Sequence, residues 1–390
     1  MTKRPWLVLD FNPVAISASA RRALLGGATL LTLVAALPYA QKNPDRPRVQ
    51  RGADPNDWEA YYDMGIELLQ NNRGAEAEAA FFWASRVRPD RAEPLYARFI
   101  AFWVRDSRNF DKFGDYLRDD ERVLRDPQVQ RADLLRYAAL RRSPFVHQGL
   151  LMFLFARLPG RWKDDQLTAG WIALGEGKLS IALERFGRLV AADQKKYGYL
   201  RFVRASAFAN SAQFDSAAGQ LSSLLTQLRG EDDKTTGSMY QSKELLEFAL
   251  GLLHEAMRRP TAAKEAFGRA VAENAAFSPA HAALGRMAIA ARDSSTALVE
   301  FGLAVETEPD DVVLRIGYGQ ALMLARRPKD AAAQFQKAVE LEPYYAEPVF
   351  LLATALEETG DAASAKQRFG QFLELASRSD PHRAEAERKK

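Results

Sequence analysis

The hydrophobic pattern in the last third of the chain repeats every 34 residues. When residues 244–379 are aligned as four segments, three columns hold only small or aromatic residues. These columns are Gly251, Gly285, Gly319 and Ala353; Ala263, Ala297, Ala331 and Ala365; and Phe267, Phe301, Phe335 and Phe369. Ala, Leu and Arg are abundant and runs of β-branched residues are few, which favours helices. The pattern predicts a tandem array of similar helical units.

This period and these columns resemble the tetratricopeptide repeat (TPR), a 34-residue unit of two helices. The family pattern has a small residue at position 8, Ala at 20, an aromatic residue at 24, Ala at 27 and Pro at 32, and the segments 278–311 and 312–345 match all five. The resemblance implies an all-α, right-handed solenoid of antiparallel helix hairpins. It implies that positions 8 and 20 face each other where the helices cross, and that the aromatic ring fills the space before the next hairpin. It also implies a protein-interaction surface without naming a partner.

The same register returns nearer the N-terminus. A full match occupies residues 58–91, and weaker matches occupy 163–196 and 198–231. Residues 92–162 are helical by pattern and rich in aromatic residues, but they depart from the family columns, so we expect two divergent hairpins there. The array therefore divides into an N-terminal TPR-like sub-array at 58–231 and four regular units at 244–379. The polar residues 232–243 are expected to form a loop or hinge between them, and 380–390 a frayed, charged tail.

Residues 23–40 form an uncharged, mostly apolar run of 18 residues. A membrane-spanning helix needs about 20 apolar residues, and the apolar core of a signal peptide needs about 7–15. Pro38 would stand three residues before a cut after Ala40, which makes a poor signal-peptidase site. We therefore expect an uncleaved transmembrane anchor, with a cleaved signal segment as the alternative. Residues 1–22 flank this run, and 41–57 form a Pro-rich linker.

The orientation of this segment is not decided by a count of its flanking charges. Four basic residues lie on each side: Lys3, Arg4, Arg21 and Arg22 before it, and Lys42, Arg46, Arg48 and Arg51 after it. Since the arginine pair directly adjoins the apolar run, a cytoplasmic N-terminus is favoured. We therefore expect a single-pass protein of a bacterial inner membrane with its repeats in the periplasm. Cytoplasmic repeats, or release into the periplasm after cleavage, are the alternatives.

The composition of the chain limits the chemical functions that it can have. The chain has no Cys, which excludes disulfides, thiolate nucleophiles and Cys-ligated zinc. Residues 1–243 carry 36 basic and 28 acidic side chains, and residues 244–379 carry 14 and 19. This gradient is too mild for nucleic-acid binding. The four histidines show no metal-ligand spacing, and no catalytic or cofactor-binding motif is present. We expect no enzymatic activity, cofactor, metal or small-molecule substrate.

The resemblance also implies a binding groove. In TPR proteins, positions 2, 5, 9 and 12 of the first helix line the concave face of the solenoid. The matching residues here are Tyr62, Ile66, Trp171, Phe202, Leu245, Phe248, Leu252, Ile316, Gln320, Met323 and Phe350. A mostly apolar groove fits an amphipathic helix or an extended hydrophobic peptide. Alternatively, the curvature of the solenoid buries these side chains, or the ends of the chain cover them.

Together these features predict a membrane-anchored scaffold that mediates protein–protein interactions in the assembly or bracing of a membrane or envelope complex. One alternative is a permanent structural subunit of a large respiratory, photosynthetic or export complex, held through the aromatic region 92–162 and the N-terminal segment. A second alternative is a soluble, exported TPR adaptor released by signal cleavage. The partners expected are therefore proteins, either a hydrophobic peptide or helix or the subunits of a membrane complex.

Overall fold

The structure is a computed structural model that describes residues 44–101, 166–232 and 242–390, apart from positions 72, 92, 96, 99, 100, 176, 177 and 199. The predictions for the flank 1–22, the apolar run 23–40, residues 41–43 of the linker, residues 102–162 of the divergent hairpins and residues 233–241 of the loop lie outside the described residues. Within the described ranges, no helix has both the length and the apolar character needed to cross a bilayer.

The described elements are α-helices. They are α1 (Trp58–Gln70), α2 (Gly74–Val87), α3 (Gln166–Gly175), α4 (Leu179–Ala192), α5 (Gln194–Tyr197), α6 (Leu200–Asn210), α7 (Phe214–Asp232), α8 (Lys243–Ala256), α9 (Pro260–Glu273), α10 (Ser278–Ala290), α11 (Ser294–Thr307), α12 (Val312–Leu324), α13 (Pro328–Leu341), α14 (Ala346–Glu358), α15 (Ala362–Leu375) and α16 (Arg383–Lys389).

These helices pack as hairpins, and the hairpins from α3 onward stack in chain order. The hairpins are α1–α2, α3–α4, α6–α7, α8–α9, α10–α11, α12–α13 and α14–α15. From α6 onward, the second helix of each hairpin also packs on the first helix of the next, as α7 does on α8 and α13 on α14. The predicted all-α array of helix hairpins is therefore confirmed for the described part of the chain.

The position-8 glycines make a contact that the sequence analysis did not name. A Cβ added to Gly285 would lie 2.6 Å from Cδ2 of Phe301, which is the position-24 ring of the same hairpin. Gly65 and Gly170 face Phe81 and Phe186 in the same way. The expected contact between positions 8 and 20 stays a prediction. The aromatic ring lies over the glycine inside its own hairpin, and a methyl group would overlap it.

The ring at position 24 does reach the next hairpin in one described case. A Cβ on Gly317, in the first helix of the following unit, would also overlap Phe301. The alanines at position 20 are fully buried in six of the seven units and nearly so at Ala365. In six of the seven described hairpins, the core thus includes one aromatic ring at position 24 beside small residues, and the hairpin α6–α7 has Leu221 there.

The polar segment at 232–243 does not interrupt the packing of the array. Helix α7 ends at Asp232, and α8 begins at Lys243 and packs against it. One continuous apolar cluster joins Leu224 and Leu228 of α7 to Leu250 of α8. The loop prediction for 233–241 itself stays untested, but the hairpins on either side of these residues stack as neighbours do elsewhere.

The charged C-terminus is ordered, so the prediction of a frayed tail is wrong. Residues Arg383–Lys389 form α16, and this helix packs on α15. Its Ala386 is fully buried, and Lys389 Nζ donates to Glu357 Oε2 at 2.7 Å. The tail is helical because one small apolar residue is buried while the charges around it find partners.

Candidate protein-binding surface

The residues predicted to line the groove all lie on the first helix of a hairpin. Helix α1 carries Tyr62 and Ile66, α3 carries Trp171, α6 carries Phe202, α8 carries Leu245, Phe248 and Leu252, α12 carries Ile316, Gln320 and Met323, and α14 carries Phe350. They occupy the first helices of six of the seven described hairpins, at the positions that the repeat register gives them. Their assignment as a binding groove stays a prediction.

Five of these eleven residues belong to the core. Tyr62, Phe202, Phe248, Ile316 and Phe350 are each 9% exposed or less. The ring centroid of Phe248 lies 5.5 Å from that of Phe267 and 5.7 Å from that of Phe277. Rings at these separations stabilise the hairpin itself. A charge placed at Phe248 or Ile316 would therefore test folding rather than binding.

Phe350 is covered by the end of the chain. Its ring lies 4.3 Å from the ring of His382 and nearly parallel to it, and 5.2 Å from the ring of Phe372. His382 immediately precedes α16, so the ordered C-terminal helix holds it in place. At the last unit, the structure agrees with the alternative that a chain end covers the groove.

The other six residues are half-buried. They are Ile66, Trp171, Leu245, Leu252, Gln320 and Met323. Leu245 and Leu252 of α8 pack against the cluster around Phe248, and Met323 of α12 packs against the cluster of the last two hairpins. Each keeps part of its side chain accessible while the remainder is held by the core. These six are the members of the predicted set that can contact a partner without unfolding the array.

The middle of this surface contains an ion pair that the sequence analysis did not select. Arg286 of α10 donates through Nη2 to Glu255 Oε2 of α8 at 2.8 Å. Arg286 occupies position 9 of its unit and Glu255 position 12, which are groove positions in the same register. The 34-residue register of the repeat therefore already placed both residues at groove positions. Half-buried apolar side chains thus lie on α8 (Leu245 and Leu252) and α12 (Met323), with the ion pair between Glu255 and Arg286 beside them.

The largest exposed apolar side chains lie elsewhere. Val299 is 59% exposed and Leu303 is 42% exposed, and they lie one turn apart on α11. Ile181, on α4, is 41% exposed. All three are on second helices and so lie outside the predicted groove. Single exposed apolar residues are common on protein surfaces and do not define a site by themselves.

The titratable groups do not form a reactive cluster in the described part of the chain. No group of three or more His, Asp or Glu residues there could hold a metal ion. His281 is buried and contacts Glu300, which raises the pKa of His281, but this pair supports packing between α10 and α11. The expectation of no enzymatic activity stays a prediction.

No family model matches the chain, and no curated protein matches it. Several solved structures of TPR proteins are similar in fold. The C-terminal part of a TPR repeat-containing protein from Cytophaga hutchinsonii is 16% identical over 54% of this chain and 78% of its own, with a TM-score of 0.43. YrrB, described as a TPR protein with an unusual peptide-binding site, is 16% identical over 54% of this chain and 100% of its own, with a TM-score of 0.43. MamA is 17% identical over 45% of this chain and 94% of its own, with a TM-score of 0.37. At these values the similarity carries no argument about function.

Proposed function

We propose that this protein is a scaffold that is anchored in a membrane by residues 23–40 and binds protein partners through its helical array. Its role is the assembly or bracing of a membrane or envelope complex, with the repeats on the periplasmic side. The observation that supports binding is the row of half-buried apolar residues on α8 and α12, with the Arg286–Glu255 pair on the surface between them. The apolar, uncharged run before the array supports the anchor.

The preferred ligand is an amphipathic helix or an extended hydrophobic peptide. The apolar residues of α8 and α12 are already held by the core, so little side-chain entropy is lost when a partner covers them. An ion pair near the middle of the surface favours a ligand that carries a polar or charged residue there, since burying Arg286 and Glu255 without such a partner would cost free energy. This combination sets both the affinity and the register of the bound segment.

A pair of charge substitutions tests the surface. Leu252→Glu combined with Met323→Glu places two charges among the half-buried apolar residues and should abolish capture of partners in a crosslinking pull-down from native membranes. The matched control is Val299→Glu, because Val299 is apolar and more exposed but lies on α11 outside the groove. Circular dichroism should show unchanged helix content in both proteins. Retained capture by the double variant, or equal loss in the control, would contradict the assignment.

Protease treatment of spheroplasts tests the membrane placement. We expect the array to be digested while a fragment that contains residues 23–40 stays with the membrane. Complete protection of the array would contradict a periplasmic location. Recovery of the intact array in the soluble periplasmic fraction, with an N-terminus beyond residue 40, would contradict the anchor.

A further inference from the structure

The first hairpin touches the connection between α13 and α14, far along the chain. The Nη1 atom of Arg86, on α2, lies 2.6 Å from Oε2 of Glu342, and the two side chains are only 18% and 19% exposed. Beside this ion pair, the ring of Trp83 meets that of Tyr344 edge-on, with their centroids 4.9 Å apart. This ion pair is largely shielded from solvent, unlike the exposed ion pairs that contribute little to stability.

A second group of contacts joins the residues before α1 to the end of α15. The side-chain nitrogen of Asn56 donates to the carbonyl oxygen of Glu374 at 2.9 Å. The backbone nitrogen of Arg378 donates to Oδ2 of Asp54 at 2.6 Å. Asn56 thereby satisfies a carbonyl of the last helical turn, which has no partner within the helix. Both ends of the first hairpin are thus tied to the last two hairpins.

This contact differs from the packing that builds the array. Within the described ranges, the extensive helix–helix packing lies inside hairpins or between hairpins that are neighbours in the stack. The first-to-last contact is made by side chains at helix ends and in connections. In the described ranges, neither helix of the first hairpin packs extensively on the last two hairpins. The contact consists of the ion pair, the hydrogen bonds of Asn56 and Asp54, and the packing of Tyr344 against the cluster that contains Trp83. Separation would expose the edge of that cluster, while each hairpin keeps its internal packing. Interfaces of this kind allow their two sides to move relative to one another.

We propose that the first hairpin is a reversible clasp that ties the beginning of the array to its last two hairpins. With the clasp closed, the two ends of the solenoid are held together and its curvature is set. With the clasp open, the array can lengthen, and the contact faces of Trp83 and Tyr344 become accessible. The proposal does not depend on whether residues 23–40 cross a membrane.

The segment before α1 is packed against the clasp, although it was predicted to be a linker. Trp83 Nε1 donates to the carbonyl oxygen of Pro44 at 2.9 Å. Arg46 donates to the hydroxyl of Tyr61 at 2.9 Å, and its guanidinium lies 5.0 Å from the centre of the Trp83 ring. Pro44 and Arg46 are therefore held on Trp83, which itself contacts Tyr344.

The absence of Cys from the chain permits a direct measurement of clasp opening. Glu67→Cys on α1 and Lys366→Cys on α15 introduce the only two thiols, both at exposed positions on helices of the two tied hairpins. Spin labels at these sites report the distance between the first and last hairpins by pulsed electron paramagnetic resonance. The measurement uses the whole 390-residue chain in detergent. We expect a single narrow distance distribution.

Charge reversal at the ion pair supplies the test. Arg86→Glu should shift the distribution to longer and broader distances, and the double change Arg86→Glu with Glu342→Arg should restore it. Arg73→Glu is the matched control because Arg73 lies at the start of α2 and pairs with Glu76 of the same hairpin. Its distribution should match that of the parent chain.

Three results would overturn the proposal: an unchanged distribution in Arg86→Glu, no restoration in the double variant, or an equal shift in Arg73→Glu. Circular dichroism checks that the helices persist. If Arg86→Glu loses helix content, Asn56→Ala combined with Asp54→Ala removes the second group of contacts and should broaden the distribution by itself. A narrow, unchanged distribution in that variant would equally contradict a reversible clasp.

Discussion

At the scale of single residues, the glycines at position 8 are explained by the aromatic ring at position 24 that packs against them. Gly285 and Phe301 belong to the two helices of one hairpin, and the ring occupies the space where a Cβ would stand. The unit at 198–231 combines Ala205 with the smaller Leu221, which agrees with an adjustment of volume between positions 8 and 24. The last unit shows no such adjustment, because it combines Ala353 with Phe369.

Substitution of two glycines by alanine should have opposite effects. Gly285→Ala places a methyl group against the Phe301 ring and should reduce the free energy of unfolding by about 1–3 kcal/mol, the usual cost of overpacking. Gly302→Ala on α11 meets open space and should increase the free energy of unfolding by roughly 0.5–1 kcal/mol through helix propensity. Urea unfolding followed by circular dichroism measures both. A stabilised Gly285→Ala would contradict the packing argument.

His281 makes the stability of the array depend on pH. Its Nδ1 lies 2.7 Å from Glu300 Oε2 and its Nε2 lies 2.9 Å from the carbonyl oxygen of Ala275, so both ring nitrogens face acceptors. The hydrogen bond to Glu300 raises the pKa of His281 above its ordinary value of 6.5. The protonated ring therefore stabilises the folded state fully below about pH 6.5, and this contribution is lost as pH rises through the raised pKa.

The urea midpoint of the parent chain should thus exceed that of His281→Gln at about pH 5 by more than at about pH 8. His254 supplies an internal comparison, because burial and then the nearby Arg259 and Arg269 lower the pKa of His254. Nuclear magnetic resonance titration of the two rings should place His281 above and His254 below the ordinary value. The reverse order would refute the assignment.

At the scale of elements, every regular hairpin turn uses the same backbone conformation. Arg258, Arg292 and Arg326 have φ of 57°, 59° and 60°, and Gly360 has φ of 87°. These positions are 34 residues apart, and each directly precedes the N-cap residue of the second helix of its hairpin. After the turn, the backbone nitrogen of Arg327 donates to the carbonyl oxygen of Leu322 at 2.9 Å, which closes the end of the first helix.

The backbone strain of a turn therefore depends on whether arginine or glycine occupies this position. Arg326→Gly should raise the free energy of unfolding by up to about 1 kcal/mol, because the left-handed conformation costs an L-residue about 1–2 kcal/mol and glycine almost nothing, less the entropy that glycine loses on folding. Gly360→Ala should lower the free energy of unfolding by about 1 kcal/mol. Urea midpoints of the two variants would be compared with the parent chain. Changes of the same sign in both would contradict this account.

At the scale of the whole molecule, the array is continuous across residues 233–241. Glu247 of α8 is 1% exposed, and its carboxylate accepts hydrogen bonds from Arg229 of α7 at 2.8 Å and from Arg269 of α9 at 3.0 Å. This carboxylate joins the hairpin before the polar segment to the hairpin after it.

Removal of the Glu247 charge should weaken the contact between α7 and α8. Glu247→Gln loses charge-assisted hydrogen bonds and should lower the free energy of unfolding by about 1.5–3 kcal/mol. Glu255→Gln is the control: its partner Arg286 is 57% exposed, so the loss should be below about 1 kcal/mol. Hydrogen exchange of amides in α7 and α8 would report the effect locally. Equal losses in the two variants would contradict a special role for Glu247.

The sequence by itself determined the repeating unit of this protein. The columns of Gly, Ala and Phe, spaced by 34 residues, predicted the hairpins and their core, because each hairpin is built from contacts within one unit and with its neighbours. The tertiary structure alone decided that Phe248 and Ile316 are core rather than surface, and that α16 is ordered. It alone brought Asn56 to Glu374, 318 residues apart. That contact depends on the small rotation between neighbouring hairpins, added along the whole stack. No local pattern of residues specifies the total rotation.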